Sequence, residues 1–186
     1  MRASIRSSVP NEPSDAVGLV VALLVRYPEL ATLTARPAEG TLVLSFAVDG
    51  PLERASQRAI CGALVEHVAA LHEVAGEPVG RLSATCERDE RMTFVRVARD
   101  AESFSREELE LLVALLRERF GERLLRNPPP EDDLGEEAGR DELVEHAIEA
   151  LRDPSHRRNL VGFREEMRVM VYFVNSRKKA KARARS

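Results

Sequence analysis

The chain has 186 residues, 44% hydrophobic, 32% charged and only 4% aromatic, with no tryptophan and a formal net charge of −3. That balance suits one or two small globular domains with an aliphatic core, and two cysteines are too few for a disulfide scaffold. The charge is unevenly placed: all three lysines (Lys178, Lys179, Lys181) lie in the last nine residues, and without residues 177–186 the chain holds 22 basic against 31 acidic residues, a net of −9.

Residues 1–13 mix Ser, Pro, Asn and Arg without the apolar run of a secretory signal, so they read as a loose leader. Ser14 and Asp15 are N-cap types, and a helix is expected to about Tyr27, where Pro28 ends it. Its apolar stretch, residues 16–25, is about half the length of a membrane-spanning helix, so no span is expected. Residues 31–36 and 41–48 then alternate with period two around Glu39-Gly40, which predicts a hairpin.

A long helix is expected from Leu52 to about Val74, with a stripe of Ala55, Ala59, Ile60, Ala63, Leu64, Val68 and Leu71, closed by Gly76 and Pro78. A second hairpin follows over 81–87 and 92–98. Ser105-Arg-Glu-Glu108 is a capping box that opens a third helix, with Leu109, Leu112, Val113, Leu116 and Phe120 inward and Gly121 as its stop.

Residues 126–139 hold three consecutive prolines, two glycines and the acids Glu131, Asp132, Asp133, Glu136 and Glu137, the composition of an extended, solvated linker. Beyond it, residues 141–151 predict a short helix with Leu143, Ile148 and Leu151 inward, and 159–164 with 167–174 predict a third hairpin that is apolar on both faces.

These elements predict an α+β protein: an antiparallel sheet built from β-hairpins, with helices packed on one face, plus a C-terminal helix-hairpin unit. The expected plan is a leader (1–13), a main domain (14–125), a linker (126–139), the helix-hairpin unit (140–175) and a basic tail (176–186). A hairpin alone is marginally stable. The third must therefore pack on the main domain, extend its sheet or pair with another copy.

Chemistry-bearing patterns are sparse. His67 and His72 stand five apart on one helix, about 140° around its axis, and not at the spacing of four that zinc ligation from a helix uses. With Glu66 and Glu73 they read as a solvated polar face. Cys61, in a helix, and Cys86, in a strand, lack metal-ligand spacing and read as small apolar core residues in a reducing compartment. No nucleophile elbow, phosphate loop or dinucleotide fingerprint occurs. No catalytic residue, metal or cofactor is therefore expected, and a binding protein is favoured over an enzyme.

The basic tail is the one pattern that points to a partner. Arg177, Lys178, Lys179, Lys181, Arg183 and Arg185 can neutralise phosphates. The expected partner is RNA, DNA or a ribonucleoprotein, met by a cytoplasmic protein, with Arg157 and Arg158 as secondary contacts among the basic set Arg152, His156, Arg157, Arg158 and Arg164. The tail also admits a bland role as a solvated end, a contact with membrane lipid, and one internal role as an arm masked by the linker's acids. The rival reading is an oligomeric interaction module, such as a homodimer, with the third hairpin as its pairing edge.

Overall fold

Alternating apolar positions in the three hairpins set which side of each strand is buried, and one sheet collects them all. The computed structural model describes residues 14–127, 137–152, 159–165 and 168–174. In chain order the elements are α1 (Ser14–Arg26), β1 (Leu30–Arg36), β2 (Thr41–Asp49), α2 (Arg54–Ala75), β3 (Leu82–Asp89), β4 (Met92–Asp100), α3 (Arg106–Phe120), α4 (Glu137–Leu151), β5 (Asn159–Glu165) and β6 (Arg168–Val174). The architecture is α+β, with a six-stranded sheet in the order β3-β4-β2-β1-β5-β6 and every pairing antiparallel.

Of the three placements open to the third hairpin, sheet extension is the one adopted: β5 pairs with β1, from Thr32 opposite Phe163 to Ala35 opposite Leu160. The register puts Leu33, Leu42, Leu44, Phe46, Val48, Val95 and Val97 on one face, where all are buried. The helices cover that face. α1 lies over β1, β5 and β6, α2 over β3 and beside α3, and α4 against α1. A Cβ at Gly162 would fall 2.2 Å from Val20 Cγ1 and 2.8 Å from Leu24 Cδ1, so glycine is what lets α1 seat on β5.

Helix ends follow their local signals. Ser105 caps α3, its hydroxyl accepting from the Glu108 amide, and all five expected inward residues of that helix are buried. Gly76 ends α2 at φ +71°, its N–H donating back to the last turn, as a left-handed C-cap requires.

Three expectations need correction. Ala55 and Ala59 are exposed, and the buried stripe of α2 is Ile60, Leu64, Val68 and His72. α4 begins at Glu137, inside the expected linker. Leu143 is exposed, and Val144, Ala147, Ile148 and Leu151 face the core. The misplaced position is off by one residue, Leu143 for Val144, which is about 100° around the helix axis. The members common to both sets are fixed by packing on α1, which the local sequence does not show.

Candidate functional site

Among the described residues every helix packs on one side of the sheet, and none of them covers the opposite, open face. Three of the sheet's strands place hydroxyls on that face: Thr32 and Thr34 from β1, the buried Ser45 from β2, and Ser83 and Thr85 from edge strand β3. These line a shallow cavity of about 350 Å³ with Val43 and Ala98 on the floor and Arg36 and Arg96 at its sides. Arg96 donates to Glu87 across the β3–β4 pair, and Arg36 lies 3.6 Å from Glu39. Both pairs are about half exposed, and such exposed pairs are weak enough for a phosphate to take the carboxylate's place.

At the β5–β6 end the same face turns aromatic. Phe163 and Tyr172 stack with ring centroids 5.6 Å apart and planes 11° from parallel, and Tyr172 is 47% exposed. Period-two alternation puts Val161, Met170 and Val174 alongside them. An exposed aromatic step beside a row of hydroxyls and two arginines can stack on flat rings while its neighbours hydrogen-bond oxygens.

A second polar cluster lies under the other face. Arg99, Glu108 and His72 are all buried. Arg99 Nε donates to Glu108 Oε1 at 2.6 Å, Arg99 Nη2 to Glu108 Oε2 at 2.9 Å and to Ser103 Oγ at 2.9 Å. His72 Nε2 lies 2.9 Å from Glu108 Oε2. A carboxylate only accepts, so Nε2 carries the proton. Burial works against the charge on Arg99, but its bonds with Glu108 and the charge of Asp100 outweigh that and raise its pKa.

This cluster joins the end of α2, the end of β4 and the start of α3. Its three buried side chains line neither the open-face cavity nor the one beside Arg26 and Tyr27, and its geometry is that of a structural tie.

Asp100 closes the cluster. Its carboxylate accepts from the Arg81 amide at 2.7 Å, and from the Ser103 hydroxyl at 2.6 Å and amide at 3.0 Å. Burial pushes its pKa up, but those hydrogen bonds and the Arg99 charge win and hold it well below the ordinary 3.8. A depressed folded pKa means that the contribution is full above the unfolded value and is lost as pH falls from there through the folded value. Denaturant titrations at about pH 5, 4 and 3 should therefore show the stability gap between the native chain and Asp100→Asn narrowing as acid is added. A constant gap would mean that Asp100 is not held ionised.

The expected site residues fare differently. Arg157, Arg158, Arg177, Lys178, Lys179, Lys181, Arg183 and Arg185 lie outside the described residues, as do His156 and the linker's acids up to Glu136. Arg164 is not an outward cation: it is half-buried, it donates through Nη1 to the Asn127 carbonyl, and burial lowers its pKa against the pull of Glu29. Arg152 donates to the Phe104 carbonyl at 2.9 Å. His67 is exposed, as expected, with Nδ1 2.7 Å from the Ala63 carbonyl, but His72 is buried and bonded.

Among the described residues no group of three or more His, Cys, Asp or Glu is placed to hold a metal ion. No helix among them is long and apolar enough to cross a membrane. Comparison with models of known protein families found no match, and searches of curated proteins and of solved structures found none either.

Proposed function

We propose that this protein binds single-stranded RNA or DNA, free or in a ribonucleoprotein, across the open face of its sheet, in a non-catalytic role and in the cytoplasm. One juxtaposition carries the reading. The stacked pair of Phe163 on β5 and Tyr172 on β6 stands on the open face, and three residues beyond the end of β6 the chain enters the run of six cations at 177–185. Bases stack on the aromatic step, oxygens of the backbone meet Arg36, Arg96 and the hydroxyls between them, and the cations supply long-range attraction. The rest of the chain, at a net −9, repels a polyanion elsewhere. The two free thiols agree with a reducing compartment.

The test is a titration of a labelled single-stranded oligonucleotide at low salt. Tyr172→Ala is expected to weaken binding about tenfold, the value of one base–aromatic stack. Arg36→Gln with Arg96→Gln is expected to weaken it further and to flatten the salt dependence. Equal affinity for a duplex of the same length would contradict the reading, because a continuous duplex offers no splayed base to Tyr172.

A second reading has its own observation. β6 is an edge strand with Tyr172 and Val174 among its exposed apolar residues, and apolar edges invite pairing with another chain. On that reading the protein is an interaction module that pairs as a homodimer through β6. Val171 packs against the core, so the variant that discriminates is Val174→Lys. A dimer seen by sedimentation that this change dissolves, with no oligonucleotide bound, would favour the second reading.

A further inference from the structure

Cys61, midway along α2, and Cys86, on edge strand β3, are 25 residues apart in sequence, yet their Sγ atoms lie 3.5 Å from each other. Both side chains are half-buried and both thiols are free. The facing positions are set by packing of α2 on β3. Leu82, Ala84 and Cys86 alternate toward the helices, and Cys61 sits next to Ile60 and one turn before Leu64 in the buried stripe.

We propose that Cys61 and Cys86 form an oxidisable dithiol, which reacts with small-molecule disulfides and closes to an intramolecular bond that fastens β3 to α2. A disulfide spans about 2.05 Å, so the sulfurs must approach by roughly 1.5 Å, a movement within reach of side-chain rotation. Metal binding is the poorer use of the pair, since two sulfurs leave a tetrahedral site half filled and no third ligand joins them among the described residues.

The order of the steps follows from the surroundings. Burial, then the hydrogen bond and charge of Cys61, push the Cys86 thiol up to about 12, so Cys86 keeps its proton and Cys61 is the group that attacks first. The Cys61 thiolate displaces one thiolate from the disulfide RSSR and becomes Cys61–S–SR, and the expelled RS⁻ takes up a proton. Cys86 then gives its proton to solvent as its sulfur attacks Cys61 Sγ and expels the second RS⁻. The protein loses two electrons and two protons, and RSSR becomes two RSH. The closed loop contains the end of α2, the Gly76 turn and β3 as far as Cys86. It therefore pins the strand that carries Ser83 and Thr85, one wall of the open-face cavity.

The experiment incubates the full chain with oxidised glutathione and reads intact mass, alkylatable thiols and thermal melting. The expected product has lost two hydrogens, retains no glutathione, has lost both thiols together and melts roughly 5–10 °C higher, reversibly on reduction. Cys86→Ser is expected to stop at a stable glutathione adduct on Cys61, and Cys61→Ser to react at least about tenfold more slowly. Accumulation of an adduct on the native chain, disulfide-linked dimers, or thiols that persist would each overturn the proposal. The native chain alone decides this, should either variant fail to fold.

Discussion

Glu108→Ala is expected to lower the free energy of unfolding by about 3–5 kcal/mol, the typical cost of removing one partner of a buried ion pair. Glu108 and Arg99 are both fully buried, and the carboxylate accepts two bonds from the guanidinium and one from His72. Without it, Arg99 retains Asp100, Ser103 and the Arg81 carbonyl, all on its Nη atoms, while Nε and the imidazole N–H lose their acceptor.

A domain of this kind holds only about 5–15 kcal/mol in total, so the loss is a large fraction of it. Urea denaturation measures it as a fall in midpoint at constant slope. Replacing the pair together, as Arg99→Met with Glu108→Leu, should recover much of the loss, since an apolar pair of similar volume needs no compensating charge. His72 would still lack its acceptor and hold the double variant below the native chain. A single-variant loss under about 1 kcal/mol would show that water reaches the cluster.

The second large effect is on binding. If all six cations of residues 177–185 contact phosphates of a single strand, affinity should fall roughly 300-fold between 50 and 200 mM salt. Replacing the six by Gln should remove most of that dependence and also reduce affinity at 50 mM salt. The variant carries a net of −9 where the native chain carries −3, so it approaches a polyanion against repulsion. Fluorescence anisotropy over a salt series reads both quantities. A slope unchanged by the substitution would remove the tail from the interface and leave Arg36 and Arg96 as the source of attraction.

Much of the fold was legible because each hairpin alternates over enough residues to fix its faces. Thr41–Asp49 and Met92–Asp100 pair along nine consecutive positions, so a slip by one residue would turn Leu42, Leu44, Phe46 and Val48 to solvent. The buried ion cluster was harder to read, because charged types suggest solvent. Even so, the signal exists. His72 continues Ile60, Leu64 and Val68 at spacing four, Glu108 precedes Leu112 by four, and Arg99 follows Val95 and Val97 at spacing two. A charge in phase with an apolar stripe is a candidate buried charge, and three of them of mixed sign are candidates for one another.

The open face was less legible. Thr32, Thr34, Ser45, Ser83 and Thr85 come from three strands, and only the order β3-β4-β2-β1 makes them neighbours. The thiol pair depends in the same way on which strand α2 covers. Tyr172 and Phe163 join only because the third hairpin extends the main sheet with one particular side outward.

Photo-crosslinking of a single-stranded oligonucleotide to the full chain, with adducts mapped by peptide mass, tests the central claim most directly. Adducts are expected on the peptides that carry Phe163, Tyr172 and the neighbouring open-face positions of β1 and β4, and they should be lost on adding salt. Adducts confined to α1–α4, or a chain that crosslinks nowhere at 50 mM salt, would contradict it.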